Sequence, residues 1–183
     1  MKRVLAALTA AYVGLAMSGC GSDGPVSAAK PTSTSTTQAQ TWGSSAANAF
    51  VEYAEGGTDK VPWGGSVTYS IGGVQVGTFT PGPSVSGELS ACLPGKSEVE
   101  GHTCPVSPLK TVSEDAGHVV FEPSLPGRVG CNTFSPPNVP NAWTPTVIRP
   151  PEARRDCFSD FAVTLFVNES GNVVGIDFAL SGP

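Results

Sequence analysis

Two consecutive runs near the C-terminus alternate between apolar and other residues, and this feature most restricts how the chain can fold. In residues 161–167 and 174–180 every second residue is large and apolar, and residues 169–172 (Glu-Ser-Gly-Asn) separate the runs. A period of two puts such residues on one side of a strand. The sequence therefore predicts an antiparallel hairpin in which four apolar pairs share one face: Val167 with Val174, Leu165 with Ile176, Val163 with Phe178, and Phe161 with Leu180.

An earlier hairpin is predicted around Gly72-Gly73. Residues 67–71 and 74–78 alternate on either side of this dipeptide. Two glycines suit a two-residue hairpin turn because both can adopt positive φ. Pairing across the turn sets Ile71 opposite Val74 and Tyr69 opposite Val76, so that one face of this hairpin is apolar.

A short amphipathic helix is predicted over residues 44–55, before the first hairpin. Its apolar stripe follows helical spacing, Ser44 or Ser45 is the expected N-cap, and Gly56-Gly57 is the expected left-handed stop. The stripe consists of Ala47, Phe50, Val51 and Ala54. The fold class is therefore predicted to be α+β, with one short N-terminal helix packed on a small antiparallel sheet of two hairpins.

The region between the hairpins is predicted to be rich in loops. The chain contains 22 glycines and 17 prolines, and only 14% of its residues are charged. This composition favours short strands and turns over coiled coils or basic nucleic-acid-binding arms. Residues 118–121 (His-Val-Val-Phe) are the candidate short central strand within residues 81–156.

Four cysteines fall in this loop-rich region, and they allow three disulfide pairings. The sequential pairing, Cys92 with Cys104 and Cys131 with Cys157, is preferred because each bond closes one loop rich in proline and glycine. We therefore expect two disulfides, each worth roughly 3 kcal/mol in the chain-entropy model.

The N-terminus has the layout of an export signal. Lys2 and Arg3 precede an apolar run at residues 4–17, and Ser18-Gly19 leads into Cys20. The apolar run is shorter than the roughly 20 residues that a membrane-spanning helix needs.

Met17-Ser18-Gly19-Cys20 resembles the lipobox of bacterial lipoproteins, with Met17 where that class usually has Leu, Val or Ile. The resemblance implies a diacylglyceryl thioether on Cys20, cleavage just before it, and anchoring by acyl chains at the extracytoplasmic face of the cell membrane. It gives three segments: a signal peptide at 1–19, the lipidated cysteine and a tether at 20–43, and a single exported domain at 44–183. The Ser/Thr/Ala/Pro-rich tether is predicted to be flexible, or alternatively to be a glycosylated stalk.

The charge balance argues against nucleic acid as a partner. The chain has 10 Lys and Arg against 15 Asp and Glu. Removing residues 1–19 takes away two basic residues and no acidic one, which leaves 8 against 15, a formal charge of −7. An acidic domain is repelled by phosphates and by anionic lipid surfaces.

No motif predicts a cofactor or a metal. The candidate zinc ligands lack the usual spacing of zinc sites; they are Cys92, Glu98, Glu100, His102 and Cys104. The S-x-x-K spacing at Ser107 and Lys110 is interpreted as chance, since Pro108 argues against a helical turn there.

The candidate contact residues are Trp63, Trp143 and Asp177. Both tryptophans lie beside Pro/Gly segments, where they either contact a partner or cover a small core. Asp177 is expected on the second face of the terminal hairpin, solvated rather than lining a pocket. Arg149, Arg154 and Arg155 form a basic cluster that is opposed by Glu152 and Asp156, interpreted as a balanced surface or an anion or partner contact.

The function predicted first is a non-catalytic, lipid-anchored domain that binds an envelope protein or a small ligand. The order of helix and hairpins loosely resembles cystatin-like folds, and the overall style is similar to small lipoproteins of high-GC Gram-positive bacteria. The first alternative is a small envelope hydrolase with a site around His102 or His118. A substrate-binding component of a transporter is the weaker alternative, since such proteins are usually two-lobed and longer.

Overall fold

A computed structural model describes residues 33–82, 89, 98–99, 102–103 and 107–181. The predictions for the signal peptide, Cys20, Cys92 and Cys104 lie outside the described residues. The helices are α1 (Ser33–Ala54), α2 (Pro108–Asp115) and two 3₁₀ helices, Ala116–His118 and Glu152–Arg154. The strands are β1 (Trp63–Ile71), β2 (Val74–Phe79), β3 (Glu98–Val99), β4 (His102–Thr103), β5 (Val120–Glu122), β6 (Arg128–Val129), β7 (Asn132–Thr133), β8 (Thr144–Arg149), β9 (Phe161–Val167) and β10 (Val173–Leu180).

The protein has an α+β fold, as predicted, but its main sheet is mixed rather than antiparallel. Six strands follow the order β2-β1-β10-β9-β8-β5, and β3-β4 and β6-β7 form separate two-stranded sheets. β10 pairs with β1 in parallel, whereas the other neighbours in the main sheet are antiparallel. The last strand therefore joins the two predicted hairpins into one sheet, a long-range arrangement that local alternation does not encode.

The terminal hairpin has the predicted register over most of its length. Three of the four apolar pairs are confirmed: Leu165 with Ile176, Val163 with Phe178, and Phe161 with Leu180. The fourth is wrong because a bulge between Val173 and Gly175 places Val173 opposite Val167. Val173 is fully buried whereas Val174 is half-buried, so the bulge keeps the better-buried valine in the ladder.

The first hairpin also contains a bulge. Gly72 and Gly73 both have positive φ, as the turn requires, and Ile71 pairs with Val74 as predicted. The predicted pair of Tyr69 with Val76 is wrong, because the register shifts and Tyr69 lies opposite Gly77. The shift brings the buried side chain of Phe79 opposite Val67, where the uninterrupted register has Thr78.

Helix α1 begins at Ser33, well before the predicted start at Ser44, so the end of the predicted tether is helical. Trp42 packs against the core, and Gly43 is buried where a Cβ would overlap the Thr146 hydroxyl. These residues continue the apolar stripe of residues 47–54 toward the N-terminus with helical spacing.

The predicted stop of α1 is confirmed in detail. Gly56 has φ of 89°, and its N–H donates to the carbonyl of Tyr53 at 3.0 Å. The N–H of Gly57 donates to the carbonyl of Glu52 at 2.9 Å. These two bonds form a Schellman motif, which satisfies carbonyls that the helix leaves unpaired.

The region between the hairpins contains more regular structure than its composition suggests. Pro108 is the first residue of α2, and the Ser107 hydroxyl accepts the N–H of Lys110 at 3.1 Å. The argument against a helical turn at this S-x-x-K spacing was wrong, since proline is favoured at the first helical position. β5 begins at Val120 and lies at an edge of the sheet, not at its centre.

The two faces of the main sheet are covered differently. On the helix face, α1 packs over alternate strand residues, including Val163 and Leu165, around the buried ring of Phe50. On the loop face, Val129 and Phe134 pack over Val147 and two alanines of β9 and β10, Ala162 and Ala179. Neither α1 nor α2, the described α-helices, is long and apolar enough to cross a membrane.

Candidate functional site

A row of polar side chains is buried on the loop face. Asp177 on β10 lies directly between Ser70 on β1 and Thr164 on β9, and all three are buried. The Asp177 carboxylate accepts the N–H of Gly73 at 2.9 Å, which ties the first hairpin turn to β10. The expectation of a solvated Asp177 was therefore wrong, since the side chain is 0% exposed.

This row affects the tyrosine on the neighbouring strand. Burial raises the pKa of the Tyr69 hydroxyl, and the negative charge of Asp177 raises that pKa further. Tyr69 is a packing residue of the helix-face core.

A buried ion pair and a disulfide hold the edge of the loop face. Arg149 Nη2 lies 2.6 Å from Asp160 Oδ2, and both side chains are buried. The same carboxylate oxygen accepts the N–H of Gly130 at 2.7 Å. The predicted disulfide between Cys131 and Cys157 is confirmed, with Cα atoms 4.7 Å apart. The β6–β7 hairpin is thus fixed to the segment before β9 by the disulfide and by the hydrogen bond that Gly130 donates to Asp160.

Each arginine of the basic cluster pairs with a carboxylate from another part of the chain. Glu122 on β5 lies 2.6 Å from Arg155 and 3.7 Å from Arg149. Arg154 lies 2.7 Å from Asp115 at the end of α2. All three arginines therefore have a carboxylate partner, but the partners are Glu122, Asp160 and Asp115 instead of the expected Glu152 and Asp156, and Arg149 is buried.

Residues 156–160 form a tight turn that exposes an aromatic ring. The Asp156 carboxylate accepts the N–H groups of Phe158 and Ser159, each at 2.8 Å. Bonds from the Ser159 side chain and from these two N–H groups hold the pKa of Asp156 below its ordinary value. Phe158 is 78% exposed, although Cys157 before it is disulfide-bonded and Asp160 after it is buried.

Two clefts flank the C-terminal end of β10. The first, here called the hairpin cleft, lies between the turn at Gly72 and the β6–β7 hairpin, with a volume of about 420 Å³. The second, here called the helix cleft, lies between α2 and the 156–160 turn, with a volume of about 450 Å³. The helix cleft is lined by Thr111, Glu114, Asp115, Arg154, Phe158, Ser159, Asp160, Phe161, Leu180 and Ser181.

The two tryptophans predicted as candidate contacts lie away from these clefts and are half-buried. Trp63 packs edge-on between Phe50 and Phe79, and its Nε1–H donates to the Asp59 carboxylate at 2.8 Å. The Trp143 ring lies so close to Gly175 that a Cβ there would be 3.2 Å away from it. Both rings therefore cover the interior, and a further role in contacting a partner stays a prediction.

The histidines are not brought together by the described structure. His118 is exposed at the end of a 3₁₀ helix and lines neither cleft, whereas His102 lies in β4, paired with Val99. Among the residues that the structure describes, no three His, Cys, Asp or Glu side chains are grouped so that they could hold a metal ion.

Sequence reasoning missed Phe158, although a signal for it is present. Asp156-Cys157-Phe158-Ser159 places an aromatic two residues after an aspartate, the spacing at which an Asx turn forms. The polar residues on either side, Asp156 and Ser159-Asp160, indicate that this phenylalanine lies on a turn and not in a strand. Comparison with protein-family models, curated proteins and solved structures finds no match to the chain.

Proposed function

We propose that this protein is exported, is held at the extracytoplasmic face of the cell membrane by acyl chains on Cys20, and binds an envelope protein through its folded domain. Support for the location comes from the ordered pattern of residues 1–20 and from the Cys131–Cys157 disulfide, a bond typical of oxidising compartments.

The binding role depends on one observation, the exposed ring of Phe158 on a fixed turn. Aromatic side chains held rigidly at a surface lose little conformational freedom on association, and they dominate many interfaces. Phe158 is the most exposed large apolar side chain in the described part of the chain, ahead of Val74 at 51%. The helix cleft beside it offers the concave surface that a partner residue would enter.

The anchor is tested by Cys20→Ala in cells that process lipoproteins. The variant should move from the membrane fraction to the soluble extracytoplasmic fraction, because no acyl chain is then attached. Ser22→Ala, two residues away, is the matched control and should stay with the membrane. Membrane retention of Cys20→Ala equal to that of the control would overturn the proposed anchoring.

A further inference from the structure

The turn that carries Phe158 is preorganised on both sides. Asp156 binds the backbone N–H groups of Phe158 and Ser159, and Asp160 is fixed by its bonds to Arg149 and Gly130. The backbone of Phe158 is therefore held at the rim of the helix cleft, and its ring is exposed and is not part of a core. A ligand that packs on this ring does not have to order the turn first.

The helix cleft offers hydrogen-bond acceptors to a ligand. Glu114, Asp115 and Asp160 contribute carboxylates to its wall, and Arg154 is the one basic residue among its described lining residues. Arg154 is already paired with Asp115 at 2.7 Å, so it is not free to attract an anion. Asp115 and Asp160 are likewise paired, with Arg154 and Arg149, so Glu114 is the carboxylate of this wall that a cationic ligand would engage.

One of these carboxylates, Glu114, is only weakly engaged. Among the described residues Glu114 pairs only with Lys110, at 3.9 Å, and both side chains are about two-thirds exposed. Such a surface pair is weak and is exchanged easily for another.

We infer that the helix cleft binds a basic side chain, arginine or lysine, of the partner protein, with the cation against the ring of Phe158 and paired with Glu114. This inference rests on the proposed binding function and specifies the chemistry of the partner. A cation over an aromatic face is attracted by the ring, and a guanidinium also stacks on it. The acidic balance of the chain, with 15 Asp and Glu against 10 Lys and Arg, favours approach of a basic partner.

The test is an NMR titration of the isotope-labelled full chain with N-acetyl-arginine amide, compared with N-acetyl-citrulline amide, its uncharged isostere. The arginine probe should shift the amide signals of Phe158, Ser159 and Asp115 in a saturable way, and the citrulline probe should not. Phe158→Ala and Glu114→Gln should each weaken binding of the arginine probe by about threefold or more. Val74→Ala, an exposed apolar residue of the hairpin cleft, is the matched control and should bind the probe normally.

Equal shifts with both probes, or unchanged arginine binding by Phe158→Ala with otherwise native spectra, would overturn the inference. A photo-crosslinking residue at position 158, compared with position 74 in intact cells, separates this failure from failure of the proposed function. A crosslinked partner specific to position 158, together with no response to the arginine probe, would reject the basic-side-chain chemistry but retain the binding role.

Discussion

The helix face and the loop face belong to the same six-stranded sheet, yet they are covered by different kinds of chain. The helix face is covered by α1, whose buried residues form one continuous apolar cluster with the strands. The loop face is covered by irregular chain with a smaller apolar cluster, and beneath it lie buried polar residues such as Asp177 and Thr164.

This difference shows two ways of specifying a structure. Apolar packing stabilises the helix face through many contacts that have no preferred direction. The loop face depends on a few directional connections, namely Gly73 to Asp177, Arg149 to Asp160, and Cys131 to Cys157. We expect single substitutions on the helix face to lower overall stability, and those on the loop face to act through particular bonds.

The largest effect is expected for Phe50→Ala. The Phe50 ring is fully buried and contacts Trp63 edge to face, so its removal leaves a cavity and should cost about 3–5 kcal/mol. Urea denaturation measures the loss. Phe134→Ala on the loop face is the matched comparison and should cost less, because irregular chain can collapse into the space. A loss for Phe134→Ala as large as that for Phe50→Ala would break the distinction between the faces.

The second effect concerns the buried ion pair. Asp160→Asn keeps the shape of the side chain but removes the charge that faces Arg149, and it should cost about 3 kcal/mol because a buried cation loses its main partner. The double variant Arg149→Met with Asp160→Leu should be more stable than Asp160→Asn, since no unpaired charge remains. If urea denaturation shows the double variant to be less stable than Asp160→Asn, then the loss of stability in Asp160→Asn does not come from an unpaired charge on Arg149.

Local periodicity predicted the elements whose pattern lies within a few residues of sequence. The terminal hairpin, the Gly72-Gly73 turn and the stop at Gly56 follow from period-two alternation and from positive φ. The predicted registers were wrong at Val76 and Val174 because each hairpin contains a bulge. The position of a bulge depends on which strand residues are buried by elements outside the hairpin. The parallel pairing of β1 with β10 was also not predictable from local sequence, since strand order depends on the whole chain.

Some signals were present but were not used. Trp42 and Ala46 extend the stripe of α1 by three- and four-residue steps, yet the surrounding Ser/Thr/Gln composition indicated a tether. Pro145 argues against a strand inside a sheet, but β5 pairs only with residues 147–149 of β8, so Pro145 is paired with β9 alone. The helix cleft was not predictable, because α2, the turn at Phe158 and the end of β10 meet only in the folded chain.

The smallest effect is expected at Asp156, where the loop face depends on an exposed carboxylate. Because the folded turn binds the ionised form, the folded pKa lies below the unfolded value of about 3.9. Asp156 therefore contributes stability above that value and loses the contribution as pH falls through the folded pKa.

Titration of the Asp156 carboxyl carbon by NMR measures this pKa directly, and the midpoint should lie below the ordinary aspartate value. Ser159→Ala removes the largest favourable contact and should move the midpoint upward. Over the same pH range the amide signals of Phe158 and Ser159 should shift, whereas that of Trp143 should not, because it donates to the backbone carbonyl of Pro140 and has no carboxylate residue beside it in sequence. A midpoint at or above the ordinary value would mean that the carboxylate does not hold the turn, and that the disulfide and Asp160 alone fix Phe158.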